Sequence, residues 1–223
     1  MHLIDEAAGV GGTVPIVGAT IPIAVGAAWA FQYQKKDSVV VSYFGDGASE
    51  EGQFYESLNY AANSKIPVIF VCENNLLSSH LHIRDRRVVS ELSPIAASIG
   101  VPSVTVDGND VFAVRDAAEI AVARARAGEG PTLIEAMTYR WRGHVGPAWD
   151  VGIGRTEAEI DEWVLKDPLA VVERNLVSRT PNLESEIIDI RKRIELEIEA
   201  SVEFAMSSPS PDLEFAEKHV YGE

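Results

Sequence analysis

The sequence predicts an α/β domain built on a doubly wound, mostly parallel sheet, followed by a helical C-terminal arm. Three observations predict it. Short apolar runs rich in β-branched and aromatic residues (39–44, 68–71, 102–106 and 131–139) alternate with stretches of helical periodicity. The first two runs end abruptly in polar turns, Gly45-Asp46-Gly47 and Asn74-Asn75. From Thr156 onward the pattern is helical only. We therefore expect one α/β domain over residues 1–155 and a helical extension over 156–223 packed on it.

The stretch from Val39 to Leu77 organises the rest. It reads as strand, tight turn, helix, parallel strand, tight turn, with Phe54, Leu58 and Ala61 sharing one helix face. Both turns then fall at the carboxyl ends of neighbouring strands, where open α/β sheets place ligands. Their chemistry is complementary. Asp46 offers a carboxylate oxygen, Asn75 an amide oxygen, and Leu77 a backbone carbonyl two residues on. Three oxygens of modest charge suit Mg²⁺, which commonly shares its ligands with phosphates. Gly47 permits close backbone approach, and the N–H groups of Gly47 and Ala48 are expected to open the next helix, as a helix N-terminus receives phosphate. Each turn alone is an ordinary structural turn; their pairing across one helix is the specific signal. A Ca²⁺ loop is the rival, but Asp46, Ser49, Glu50 and Glu51 lack the alternating spacing and central glycine of an EF-hand.

Composition narrows the classes. A chain of 223 residues with 46% hydrophobic content can bury one sizeable core. A net charge of −15 argues against a nucleic-acid partner. No apolar run approaches a membrane span. The lone cysteine, Cys72, sits in an apolar strand, so a disulfide framework is excluded and a buried thiol in a reducing cytoplasm is expected.

The remaining segments follow in order. Residues 1–12 are polar and Gly-rich, a poor start for an independent fold. After Pro15, Val17 and Gly18, a helix from Ile21 to about Lys36 is nearly all small and apolar. It is expected to be buried, either in the core or at a subunit interface. Residues 76–89 carry His80, His82, Arg84, Arg86 and Arg87. His-x-His lacks an evident third ligand, and the basic cluster reads as a solvated loop unless it meets an anionic substrate or partner. Asp107 to Asp110 reads as a turn, with Asp110 capping a helix over 111–127. Residues 139–154, YRWRGHVGPAWDVG within them, form a long loop after a strand end, a place for function. There His144 is a candidate acid or hydrogen-bond donor. Thr156 with Glu159 fits a capping box. A long helix over 183–206 aligns Ile187, Ile190, Ile194 and Ile198 into an apolar face for the domain or a neighbour.

Gly45-Asp46-Gly47 followed by Asn74-Asn75 resembles the thiamine diphosphate motif of transketolase-like enzymes. The surrounding GDGASEEGQFYESLNYAA and IPVIFVCENN are similar to the α subunit of the E1 component of 2-oxo acid dehydrogenases, and the similarity covers nearly the whole chain. The resemblance implies a transketolase-like thiamine diphosphate-binding fold. It implies Mg²⁺ on Asp46, Asn75 and the Leu77 carbonyl, where family members often carry an aromatic residue. It places the cofactor against Pro15, Val17, Asp46, Gly47, Ala48, Asn75 and His144, with Pro15 and Val17 acting through their backbone. His144 is implied to aid acyl transfer to a lipoyl group, and Arg140 to order its loop. Regulated mitochondrial members carry a phosphorylatable Ser after this His; here it is Val145. In the family a long segment precedes a Gly-Gly-Ser-Met-His motif, whereas this chain begins at the Met-His. Either the protein is encoded in two pieces, with a separate N-terminal α fragment, or the chain is a truncation.

The function so implied is one subunit of an enzyme that decarboxylates a 2-oxo acid and passes the acyl group to a lipoyl-bearing E2. An E1 β-like subunit would supply the pyrimidine-activating Glu. Two rivals stand beside it: a split transketolase-type ketol transferase, and a non-catalytic subunit binding phosphate and Mg²⁺. The chain lacks both G-x-x-x-x-G-K-[ST] and G-x-G-x-x-G, which weakens nucleotide binding.

Overall fold

A computed structural model describes residues 2–152 and 154–215. Met1, with its share of the Met-His resemblance, and the polar tail beyond 215 lie outside them. By compactness the chain divides into two units between Val172 and Glu173. Residues 156–172 stay with the first unit for a packing reason. Ile160 is buried, and the Trp163 ring stacks on Tyr139 at 5.1 Å. The Asn109 amide also donates to the Lys166 carbonyl at 2.9 Å.

The first unit holds a four-stranded sheet of β1 (Val40–Gly45), β2 (Val68–Asn74), β5 (Ser103–Asp107) and β6 (Thr132–Met137). The order is β1-β2-β6-β5 and every pair is parallel. Parallel neighbours require crossovers, and helices supply them. These are α2 (Gly52–Ser64), α4 (Ser93–Ser98) and α5 (Val111–Arg126), while α1 (Thr20–Tyr33) precedes β1. Between β2 and α4 lie a small hairpin, β3 (Leu77–Ser78) with β4 (Leu81–His82), and the short α3 (Ile83–Arg86).

Side chains alternate along each strand, so the sheet has two cores. Val68, Phe70 and Cys72 face one side with Ile21, Phe54, Leu58, Ala61, Leu92 and Ala96. That core joins the sheet to α1, α2 and α4. Ile69 and Ile134 face the other side, against Ala121 of α5. The doubly wound expectation therefore holds. Asp110 accepts the Phe112 and Ala113 N–H groups at 2.9 and 3.2 Å, capping α5 as expected. The Thr156–Glu159 capping box is formed at the start of α6 (Glu157–Val164).

One expectation needs correction. Helix α1 is not buried all round. Ile21, Ala24, Val25 and Ala28 form the buried stripe, while Ile23, Trp29 and Tyr33 are exposed. The helix lies over one edge of the sheet, so only one stripe meets β1, β2 and α2. In the second unit, the end of α7 (Pro168–Arg179) joins α8 (Leu183–Ser207) through an Arg191–Glu173 ion pair of 2.5 Å. Ile190, Ile194 and Ile198 on α8 are exposed. Among the described residues no helix is long and apolar enough to cross a membrane.

Phe54 is fully buried and its ring lies 5.6 Å from that of Phe44. Phe54→Ala is expected to cost about 3–5 kcal/mol, read as a lower urea midpoint at unchanged m value; a loss below about 1 kcal/mol would contradict its central place in the core.

Candidate functional site

The carboxyl ends of β1, β2 and β6 lie side by side, and three turns project from them. The first begins where β1 ends at Gly45. Asp46 to Glu50 form a 3-10 turn, and α2 starts only at Gly52. The N–H groups of Gly47 and Ala48 therefore belong to this turn, not to the opening of α2 as expected. The Ser49 hydroxyl folds back onto the Asp46 carbonyl at 2.5 Å, and Glu51 is extended, so the turn cannot run into the helix. Gly47 has a steric reason: a Cβ there would lie 2.5 Å from the Ser78 hydroxyl oxygen. The hairpin of the second turn seats directly on the first.

Asp46 is buried. Its Oδ2 is paired with the Arg86 guanidinium, which also engages Glu50. Its Oδ1 is buried without a hydrogen-bond partner. Arg87 donates to Glu50 at 3.2 Å and to the Ser49 carbonyl at 2.5 Å. The expectation of a solvated basic loop is overturned for these two residues. The Arg86 and Arg87 side chains are only 6% and 8% exposed, because the acids of the first turn draw them in. Arg84 alone stays in solvent. His80 and His82 gain no third partner, since no metal-type cluster of His, Cys, Asp and Glu occurs among the described residues. His82 instead accepts the Arg84 N–H on Nδ1 at 3.1 Å. Partial burial, then the Arg84 charge, push its imidazole below the ordinary value.

The second turn follows β2. Asn74 is buried and Asn75 half-buried. The Asn74 Oδ1 accepts the Leu76 N–H at 3.0 Å, and the Asn75 Oδ1 accepts the Leu77 N–H at 3.1 Å. Between them Leu76 takes a left-handed φ of 67°. Leu77 is buried at the start of the hairpin. Arg155 donates to the Asn75 carbonyl at 3.1 Å and grazes its Oδ1 at 3.4 Å.

The third turn is the loop after β6. Arg140 orders it, as the resemblance implied. It donates to the Arg142 carbonyl, the Ser79 carbonyl and Asp150, each at 2.9 Å, and meets His144 Nδ1 at 3.1 Å. The contact to Ser79 ties this loop to the hairpin tip. His144 itself is exposed. Pro15 and Val17 are both exposed. The Val17 carbonyl accepts from Gln53 at 3.2 Å, which docks this segment on the first turn of α2. Gly18 adopts a φ of 79°, and a Cβ there would meet Gln53 at 2.8 Å.

Sequence reasoning missed three residues. Arg155 is buried, stacks 3.8 Å over the Tyr139 ring and braces Asn75. Asn74 fixes the Leu76 turn. Glu135, fully buried on β6, accepts the Asn74 amide at 2.8 Å. A single carboxylate inside the apolar run Thr132–Met137 was the available signal for it.

The oxygen set fits a hard cation. Asp46 Oδ1 is a buried carboxylate oxygen with nothing to accept, and Asn75 Oδ1 has one firm donor and one long one.

The dehydrogenase E1 component family model matches residues 1–214. The chain belongs to the dehydrogenase E1 component family. Among its relatives are pyruvate dehydrogenase E1 component alpha subunits. That of Porphyra purpurea is 36% identical over 230 residues, spanning 100% of this chain and 66% of the relative. The chloroplastic alpha-3 subunit of Arabidopsis thaliana is 40% identical over 95% of this chain and 50% of its own. That of Rhizobium meliloti is 37% identical over 96% and 61%. A solved structure described as a thiamin diphosphate-dependent enzyme of Mycobacterium smegmatis shares 25% identity over 56% of this chain and 22% of its own, at a TM-score of 0.46. The chain thus spans half to two thirds of the length of these curated relatives. As an E1 family member it carries its Asp46 turn, Asn74-Asn75 turn and His144 loop on adjacent strand ends.

Cys72, beneath this site, is fully buried, as expected. Burial first, then the Asp46 and Glu135 charges, push its thiol well above the ordinary range. The fold thus favours the protonated thiol. Its contribution to stability is complete below the ordinary thiol pKa of about 8.5 and is lost as pH rises through the folded value. A disulfide reagent at mildly alkaline pH should leave the folded protein unlabelled and label it fully in urea; rapid labelling of the folded form would contradict this.

Proposed function

We propose that this chain is the α-type subunit of a thiamine diphosphate-dependent enzyme that decarboxylates a 2-oxo acid and transfers the acyl group to a lipoyl-bearing partner. The observation that carries the reading is the unpartnered, buried Asp46 Oδ1 one strand away from Asn75, in a member of the E1 family. In this reading Asp46, Asn75 and the Leu77 carbonyl hold Mg²⁺, while Gly47 and Ala48 line the diphosphate and the backbone of Pro15 and Val17 faces the pyrimidine. Held there, thiamine diphosphate would supply the electron-sink chemistry that decarboxylation of a 2-oxo acid needs.

The chain's own residues orient and donate hydrogen bonds. Arg140 carries only donors, so its contact with His144 makes Nδ1 the acceptor and fixes the ring proton on Nε2. His144 then presents its Nε2–H, in an exposed loop, as a hydrogen-bond donor suited to stabilise the departing lipoyl sulfur. Arg155 holds the Asn75 backbone while Arg140 holds the hairpin tip, so metal turn and acid loop are braced together. The exposed Ile23, Trp29 and Tyr33 of α1 offer an apolar face to an E1 β-like subunit, the proposed source of the pyrimidine-activating Glu. The lone buried thiol agrees with a place in a reducing cytoplasm.

Asp46→Ala is expected to abolish Mg²⁺-dependent retention of thiamine diphosphate by the assembled complex, measured by equilibrium dialysis; unchanged retention sinks the reading. His144→Ala is expected to leave that retention intact and to slow acyl transfer to a lipoyl acceptor by about 10²–10⁴-fold. Equal loss with an artificial electron acceptor would show that His144 does not serve the lipoyl step.

A further inference from the structure

The buried Glu135 has no place in the roles assigned so far, and its surroundings give it one. Its Oε1 accepts the Asn74 amide at 2.8 Å. Its Oε2 accepts the Leu92 and Ser93 N–H groups at 2.9 and 3.2 Å and the Thr105 hydroxyl at 3.1 Å, and the Ser93 hydroxyl in turn donates to Thr105 at 2.7 Å. Every partner donates, and among the described residues no Lys, Arg or His pairs with it. A fully desolvated carboxylate held only by neutral donors is costly to keep in a sheet interior.

What Glu135 holds explains its presence. It takes the Asn74 amide N–H, which fixes the rotamer of that side chain and turns its Oδ1 toward the Leu76 N–H. That bond supports the left-handed Leu76, a conformation a branched side chain seldom adopts. The reversal at Leu76 then sets where Asn75 Oδ1 and the Leu77 carbonyl point. The path runs Glu135, Asn74, Leu76, and ends at two of the three oxygens assigned to the cation.

We propose that Glu135 is a positioning residue of the cation site, acting through Asn74 to hold the Leu76 turn that presents Asn75 and Leu77. The inference rests on the cation-binding reading above. Groups that orient metal ligands without touching the metal typically change affinity by about 10–100-fold when altered. Glu135→Gln keeps the shape but must place an NH₂ group against either the Asn74 amide or the Leu92 and Ser93 N–H groups. Adding the reciprocal change Asn74→Asp restores the lost complementarity. The new amide on β6 then donates to the new carboxylate on β2, whose second oxygen still accepts from Leu76. Total charge is also restored.

The test is Mn²⁺ binding to the assembled protein with thiamine diphosphate, read by electron paramagnetic resonance, alongside the thermal midpoint. Glu135→Gln should weaken Mn²⁺ binding about 10–100-fold, and the Glu135→Gln/Asn74→Asp pair should return most of it. A purely structural Glu135 would lower the midpoint and leave the dissociation constant unchanged, which overturns the proposal, as does a double variant no better than the single. If Glu135→Gln does not assemble, Asn74→Ala is read in its place; it leaves Glu135 its other donors and should show the same loss, and unchanged binding overturns the proposal. The wild-type protein and Asp46→Ala separate the two levels. Mn²⁺ binding by wild type that Asp46→Ala removes upholds the site, so a silent Glu135→Gln then counts against this inference alone. No Mn²⁺ binding by wild type overturns both.

Discussion

The parallel register of β1, β2 and β6 is the constraint on which the site depends. Phe44, Cys72 and Glu135 share one row, and Gly45, Glu73 and Ala136 the next. The strands therefore end together, and the Asp46, Asn75 and Arg140 turns leave the sheet as neighbours. The register also decides which core each side chain enters. In its observed place Glu135 lies in the row of Phe44 and Cys72, on the side where the Leu92 and Ser93 N–H groups wait. A slip of one residue would turn it toward the apolar packing of Ile69, Ile134 and Ala121 and away from those donors. A polar anchor in an otherwise apolar strand thus makes the register single-valued.

Buried charge fastens the turns. Asp46 and Glu50 from the first turn meet Arg86 and Arg87, at the end of α3 and just beyond it, and all four are withdrawn from water to differing degrees. Such a cluster adds little net stability compared with apolar packing, but loss of one member strands the others, so its geometry is enforced. The segment from Leu76 to Arg87 is consequently held throughout. Ser78 rests against Gly47, the Ser79 carbonyl is taken by Arg140, the Leu76 carbonyl by the Ile83 N–H, and Arg86 closes on Asp46.

What was legible in the sequence was whatever is encoded by neighbours in the chain. Short apolar runs rich in β-branched and aromatic residues, ending in Gly-Asp-Gly or Asn-Asn, revealed the strands and the turns that matter. Asp110 and Thr156 declared their helix starts by local side-chain chemistry. The doubly wound sheet followed from alternation. What stayed hidden depended on distant partners. Arg86 read as solvated because the acids that draw it in lie 40 and 36 residues away. Arg155 reaches Asn75 across 80 residues. Helix α1 read as buried because its composition has no polar face, yet composition cannot say how many neighbours arrive. The first turn became a 3-10 turn because the Ser49 side chain competes for a backbone carbonyl, a contest periodicity does not record.

Two buried acids at one end of a sheet look interchangeable, and the way each is satisfied separates them. Glu135 has donors on both oxygens, more on one than the other, and its lone pairs are committed to protein. Asp46 has a guanidinium on Oδ2 and nothing on Oδ1. A carboxylate can ligate a cation only through an oxygen still able to accept, so the ligand role falls to Asp46 and the supporting role to Glu135. The adjacent amides divide on another ground. Each oxygen accepts one firm backbone N–H, but the Asn74 NH₂ is spent on the buried Glu135, whereas Asn75 is only half-buried and its side chain serves no other acid. Glu135 is saturated by protein donors so that Asp46, two strands across, can remain incomplete.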